Sequence, residues 1–262
     1  MTPPVGLQPD DLTHVMSAFG VAEAQVRRDH AVSHILATLS RHHRDELIFF
    51  GGTALSRTYL VDERLSEDID LIAIDHRNHL AETLLQDINT GLARTHGRIT
   101  WSPAWSPTSD VEPAVAVTPD GIAIKIQLLP RAHYEKWPTE IHEIEQRYRD
   151  APPARLRVPT MSSFAGWKTV AWLQRLAARD LYDLWALSRV GALNAESAKL
   201  FAKHGPTNES PQSRRRAGDA AQAHAGLTIW KAHRGPVDLA RRSSPVTRTA
   251  SKASARATNV AS

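Results

Sequence analysis

Apolar residues recur along the first half of the chain with two spacings, and each predicts a different element. Between residues 22 and 42, Val26, Ala31, Val32, Ile35, Leu36 and Leu39 return at helical intervals with charged residues between them, so a long helix is expected there. Leu47-Ile48-Phe49-Phe50 is a short apolar run closed by Gly51-Gly52, the pattern of a buried strand entering a tight turn. Thr53 stands where it can cap a short helix running from Ala54 to Leu60. Asp70-Leu71-Ile72-Ala73-Ile74 predicts a second strand, and Leu80, Leu84, Leu85, Ile88 and Leu92 predict a helix over 77–94. The stretch 98–120, rich in Pro, Trp, Ser and Thr, supports only short edge strands. From Gly121 to Leu129 the alternation is regular, with Ile122, Ile124, Ile126 and Leu128 on one face and Ala123, Lys125 and Gln127 on the other. That is a strand with a polar face turned toward a site.

Pro152-Pro153 through Pro159 reads as a linker. Beyond it the pattern is helical only, with helices expected at 160–177, 179–190 and 194–203. The pattern ends near Gly205-Pro206. The last 58 residues hold seven large apolar side chains (Leu227, Ile229, Trp230, Val237, Leu239, Val246 and Val260). So few cannot offset the entropy of ordering the segment, and a disordered, truncated or frame-shifted end is expected. The layout is therefore a strand-and-helix domain over 1–150, a helical domain over 151–204 and a basic tail over 205–262, with no internal repeat.

Charge sharpens this division. The chain carries +4 overall, but the tail has ten Lys and Arg against three Asp and Glu, or +7, which leaves −3 for residues 1–204. The basic character therefore belongs to the tail, and a solvated end is the plain reading of it. Hydrophobic residues at 42% and charged residues at 23% suit an ordinary globular core. There is no cysteine, which excludes disulfides and thiolate metal sites and fits a reducing cytoplasm. No signal peptide is visible in MTPPVGLQPDD. No stretch reaches the roughly 18–20 apolar residues of a membrane span. Thirteen histidines are present, and Arg41-His42-His43-Arg44 reads as a solvated helix end.

The chemistry concentrates in GGTALSRTYLVDERLSEDIDLIAI, residues 51–74. Glycines between a strand and a helix let a phosphate approach main-chain N–H groups, and Thr53 adds a hydroxyl, so Gly51, Gly52 and Thr53 form a candidate triphosphate cradle. Asp68 and Asp70 are two residues apart at the start of a strand, so their carboxylates share a face while Ile69 and Leu71 turn to the core. Two such charges side by side call for a cation between them, and Mg²⁺ takes both carboxylate and phosphate oxygens. Asp68 and Asp70 are thus candidate metal ligands and catalytic residues. Further on, Lys168 and Arg175 are seven apart on one helix face, and Asp180 and Asp183 are three apart on the next. Lys168 could hold triphosphate oxygens as a point charge, with a carboxylate orienting it or accepting a proton. An inter-helix ion-pair network of Lys168, Arg175, Arg179 and Asp183 is the structural alternative.

The run from Arg27 to Ile74, with Gly51-Gly52-Thr53-Ala54-Leu55, Arg64 and Ser66-Glu67-Asp68-Ile69-Asp70-Leu71, resembles the abortive-infection toxin family AbiEii/AbiGii. The resemblance resumes at Lys168, Arg175 and Arg179-Asp180-Leu181-Tyr182-Asp183-Leu184 and covers roughly 25–203. It implies an α/β (α+β) fold with a nucleotidyltransferase-like mixed sheet, flanking helices and a helical C-terminal domain. It also implies a Mg²⁺-dependent nucleotidyltransferase with a nucleoside triphosphate as co-substrate and a tRNA 3′ end as acceptor. A cognate winged-helix antitoxin would be its partner in a toxin–antitoxin or abortive-infection system. The implied catalytic residues are Asp68, Asp70, Lys168 and Asp180. Polymerase-like nucleotidyltransferases often carry a third carboxylate on a neighbouring strand, where this chain has Gln127, with Lys125 on the same face. A single-metal scheme or a carboxylate supplied by Asp180 answers that departure. A degenerate nucleotide-binding protein acting on RNA or a partner, and an enzyme nucleotidylating protein hydroxyls, are the alternatives.

Overall fold

The computed structural model of the protein describes residues 6–105, 112–131 and 137–205. The basic tail of the sequence reading therefore lies outside the described residues, apart from Gly205. The elements run α1 (Pro9–Phe19), α2 (Glu23–His42), β1 (Leu47–Phe50), α3 (Gly51–Ser56), β2 (Ile69–Ala73), α4 (Arg77–His96), β3 (Thr100–Trp101), β4 (Ala114–Val117) and β5 (Ala123–Pro130). They continue with β6 (Thr139–Ile144), β7 (Ala154–Pro159), α5 (Met161–Arg175), α6 (Ala178–Arg189) and α7 (Ala195–His204). Most of these fall within a residue or two of the periodicity. None of the described helices is long and apolar enough to cross a membrane.

Five strands form a mixed sheet in the order β1-β2-β5-β4-β3. β1 pairs antiparallel with β2, β2 parallel with β5, and β5 antiparallel with β4. Alternation divides the strands between two faces. Leu47, Phe49, Ile69, Leu71, Ile126 and Leu128 are sealed in the main core with Val32, Ile35, Leu36 and Leu39 of α2 and Leu84, Ile88 and Leu92 of α4. On the opposite face Ile48, Ile72 and Leu129 form a smaller apolar floor, with Phe50 and Trp167 of α5 packed on it. Asp70 and Gln127 share that second face by parity, so the same alternation that builds the core delivers the polar residues to the far side.

Three local expectations change. Residues 154–159, read as linker, form β7, which pairs with β6 in a second ladder. Leu156 and Val158 join the main core, which also includes Phe164, Ala165, Ala186 and Leu187 of α5 and α6. Thr53 does not cap a helix: α3 begins at Gly51, and the Thr53 hydroxyl donates to the Asp68 carbonyl. His43 is not solvated, because it lies buried between Glu46 (2.7 Å) and Asp87 (2.8 Å). α1, for which no element was expected, carries Leu12, Val15, Met16 and Phe19 at helical spacing between Pro9 at its start and Gly20 in the left-handed region at its end.

Arg57, at the end of α3, fixes the glycine turn in place. Its guanidinium is fully buried and donates to Asp29 Oδ1 (2.7 Å), Ser33 Oγ (2.8 Å) and the Glu145 carbonyl (2.7 Å). Arg147 donates from the same side to the Ser56 carbonyl at 2.7 Å. Buried charge survives only when paired and hydrogen-bonded, so this cluster ties α3 to α2 and to the segment after β6.

Candidate active site

The two sequence regions singled out above meet in one cleft of about 380 Å³, a size suited to a small-molecule ligand. Gly51, Gly52, Arg64, Ser66, Asp68 and Asp70 line one side, Gln127 and Leu129 the floor, and Lys168, Arg175 and Arg179 the opposite wall. β1 ends at the glycine turn. The β1–β2 register sets Phe50 opposite Asp70, and the β2–β5 register sets Asp70 beside Gln127. The third-carboxylate position is therefore filled by a glutamine in space as well as in sequence. Lys125, on the same face, is solvent-exposed and does not line the cleft.

Gly51 has φ +80°, a conformation that side chains with a Cβ rarely adopt. A Cβ there would run into Asp70 Oδ2 and stand 2.9 Å from the Asp70 carboxyl carbon. At Gly52 a Cβ would stand 3.0 Å from both Arg64 Nη2 and Ser66 Oγ. The missing side chains thus make room for the carboxylate and its neighbours. Thr53 is fully buried and its hydroxyl is spent on Asp68. Any contact of Thr53 with a phosphate is left to its backbone N–H, contrary to the hydroxyl contact its sequence position suggested. What the hydroxyl does is tether the turn to the aspartate strand.

Asp68 is exposed just before β2, and Asp70 lies half-buried within it. Burial first, and then the neighbouring Asp68, push the Asp70 carboxyl up to about 6, against the pull of Lys168, Arg179 and Arg175. A cation between the two carboxylates would relieve both penalties. Two hard oxygen donors beside an open cleft fit Mg²⁺, which keeps several positions for phosphate and water.

The opposite wall is an ordered ion network. Lys168, buried in α5, reaches Asp183 Oδ2 at 2.7 Å and Asp180 Oδ1 at 3.3 Å. Arg175 clamps Asp180 through Nε (2.5 Å) and Nη2 (2.8 Å). From the first side, Arg64 reaches across to this network and clamps Asp183 through Nε (2.8 Å) and Nη2 (2.9 Å). Burial works to raise the Asp180 carboxyl, but Arg175 and Lys168 outweigh it and hold it below the usual carboxylate range. Both oxygens of Asp180 are taken and its side chain is sealed from solvent. In this arrangement both Asp180 oxygens face Lys168 and Arg175, the position of an orienting carboxylate rather than of a base open to substrate. Arg179, exposed on the rim, makes no ion pair among the described residues. The sequence reading missed the aromatic wall, where Phe50 and Trp167 stack at 4.9 Å and 16°. A tryptophan at helical spacing reads as core, and nothing local marks it as a cleft residue.

Comparison with known proteins identifies a family. The model of the family described as nucleotidyl transferase AbiEii toxin, type IV toxin–antitoxin system, matches residues 34–252, starting later and ending later than the motifs alone suggested. Comparison with curated proteins finds no match. Among solved structures, the chain is similar to MenT4, a nucleotidyltransferase toxin from Mycobacterium tuberculosis H37Rv, at a TM-score of 0.55 and 19% identity, covering 77% of this chain and 76% of that one. It is also similar to an antigenic nucleotidyltransferase-like protein from Paracoccidioides brasiliensis (TM-score 0.41, 14% identity, 75% and 93% covered). The antibiotic-resistance factor ANT(2'')-Ia is similar at a TM-score of 0.40 and 15% identity, with 74% and 96% covered. Since the family match spans most of its length and encloses the whole cleft, the chain belongs to the nucleotidyl transferase AbiEii toxins of type IV toxin–antitoxin systems.

Proposed function

We propose that this nucleotidyltransferase moves a nucleotidyl group from a nucleoside triphosphate onto a tRNA 3′ end, with Asp68 and Asp70 holding Mg²⁺. The observation that carries the reading is the convergence on one cleft of the glycine turn, the aspartate pair and the cations Lys168, Arg175 and Arg179. Bound Mg²⁺ supplies charge neutralisation and polarisation of the triphosphate oxygens. The backbone N–H groups of Gly51 and Gly52, which line the cleft, donate to phosphate oxygens, while the buried Thr53 braces the turn through Asp68. Lys168, steadied by Asp180 and Asp183, faces the cleft as a point charge, and Arg179 adds a second cation at the rim. The acceptor hydroxyl attacks the α-phosphorus in line, the bond to the bridging oxygen breaks, and pyrophosphate leaves. Asp180 and Asp183 have both oxygens engaged, so Asp68 and Asp70 are the carboxylates left to hold a cation or a proton.

The tRNA acceptor, like a winged-helix antitoxin partner, rests on the family resemblance. Gln127 beside Asp70 favours one other reading, a degenerate protein that binds nucleotide and acts by holding RNA or a partner. Incubation with each labelled nucleoside triphosphate, Mg²⁺ and total tRNA separates the two. Label on tRNA, lost in Asp70→Asn, supports transfer, whereas nucleotide bound but never transferred supports the degenerate reading. Label on protein instead would point to nucleotidylation of protein hydroxyls.

A further inference from the structure

A second group of ligating side chains lies away from the cleft. His30 and His34 stand one helical turn apart on α2, a spacing that sets both imidazoles on one face. Both are buried, at 3% and 6% exposure. Asp150, in the turn after β6, brings its carboxylate to both. It lies 3.0 Å from His30 Nε2 through Oδ1 and 3.1 Å from His34 Nε2 through Oδ2. One ligand atom from each residue falls within 4.8 Å of the others, and none of the three residues lines the cleft.

We propose that His30 Nε2, His34 Nε2 and the Asp150 carboxylate form a structural site for a divalent transition metal, Zn²⁺ above all, separate from the aspartate pair. Two imidazoles and one carboxylate suit Zn²⁺, whereas Mg²⁺ prefers an all-oxygen set. Tetrahedral bonds of about 2.0–2.1 Å place ligand atoms roughly 3.3 Å apart, near the two nitrogen–carboxylate distances, and with all three ligand atoms within 4.8 Å of one another side-chain rotation alone brings the set into range. The surroundings supply the outer support that metal-bound histidines have. His30 Nδ1 meets His96 Nε2 at 3.0 Å, and His96 Nδ1 meets Thr95 Oγ1 at 2.8 Å. With a metal bound, His30 would carry its proton on Nδ1 toward His96, which leaves Nε2 free to ligate; without one, Nε2–H donates to Asp150. Asp150 Oδ2 also accepts from the Gly6 backbone N–H at 3.0 Å. The metal therefore clasps α2 to the turn at 148–150 and to the N-terminal segment. Gln25 and Arg28, on the same helix, hold Glu67 beside Asp68, so the clasp steadies a helix that supports the cleft.

The test uses the full chain, stripped with a chelator and titrated with Zn²⁺ or Co²⁺ in excess Mg²⁺. The expected result is one tightly held equivalent of Zn²⁺, visible absorption bands of four-coordinate Co²⁺, and a rise of roughly 5–10 °C in melting temperature at a hundredfold excess over Kd. All three persist in an Asp68→Asn/Asp70→Asn variant and disappear in His34→Gln and Asp150→Asn. A wild-type chain that holds no Zn²⁺ and gives no Co²⁺ bands overturns the proposal even if the variants fail to fold. In that case the imidazoles simply donate to Asp150 with no ion between them. Undiminished binding in both His34→Gln and Asp150→Asn overturns it as well.

Discussion

Gly51→Ala is the substitution whose outcome the cleft geometry constrains most closely. It adds one methyl group, changes no charge and leaves every proposed functional side chain in the sequence. The methyl meets two obstacles. Position 51 has φ +80°, and a residue with a Cβ in the left-handed region costs about 1–2 kcal/mol. The new Cβ would also stand 2.9 Å from the Asp70 carboxyl carbon, against an ordinary carbon–carbon contact of about 3.5–4.0 Å. Either the Asp70 carboxyl retreats by on the order of 1 Å or the turn shifts by as much. A misplacement of that size in a reacting site costs about a hundredfold in rate. The expected result is a fall of about a hundredfold in kcat/KM, measured by pyrophosphate release. The melting temperature should drop by only a few degrees, since about 1–2 kcal/mol moves a domain of this size by roughly 2–8 °C. Gly52→Ala is the internal comparison. Its Cβ meets the ends of Arg64 and Ser66 at 3.0 Å, and the flexible arginine can give way, so a smaller loss is expected. Wild-type turnover in Gly51→Ala would refute the assignment of Asp70 to the reacting centre, because the carboxylate cannot stay where it is.

Three further substitutions probe the rest of the argument. Asp70→Asn should abolish transfer while the fold survives. A loss of about 4 kcal/mol in transition-state stabilisation is roughly a thousandfold in rate, and expression of this variant should not arrest bacterial growth where the wild type does. Equal arrest by both forms would detach toxicity from catalysis. Lys168→Met should lower kcat/KM by about a hundredfold with little change in melting, because Asp180 keeps Arg175 and Asp183 keeps Arg64. Collapse of the fold instead would show that Lys168 is chiefly structural. Asp29→Ala strands the buried Arg57 guanidinium without its carboxylate. It should cost about 3–5 kcal/mol, seen as a fall of roughly 10 °C in differential scanning fluorimetry, and a negligible shift would mean that Arg57 finds water or another acceptor.

The amino-acid sequence by itself determined most of the elements and the aspartate side of the cleft, because both depend on short intervals. Helical spacing gave α2 and α4, alternation gave β5, and the two-residue step from Asp68 to Asp70 put both carboxylates on the face opposite Ile69 and Leu71. β6 and β7 escaped because β6 carries little apolar signal and Pro152-Pro153 and Pro159 masked the alternation of Leu156 and Val158. What the tertiary structure decided were the partners. Arg64 finds Asp183 across 119 residues, Phe50 finds Trp167, and His30 and His34 find Asp150. The same packing spent the Thr53 hydroxyl inside the fold, and of the two roles open to Asp180, orienting Lys168 or accepting a proton, it set the carboxylate against Lys168 and Arg175. Local periodicity records which way a side chain points along its own element. What stands opposite it is set by strand register and by how helices are laid on the sheet, and those are properties of the closed core.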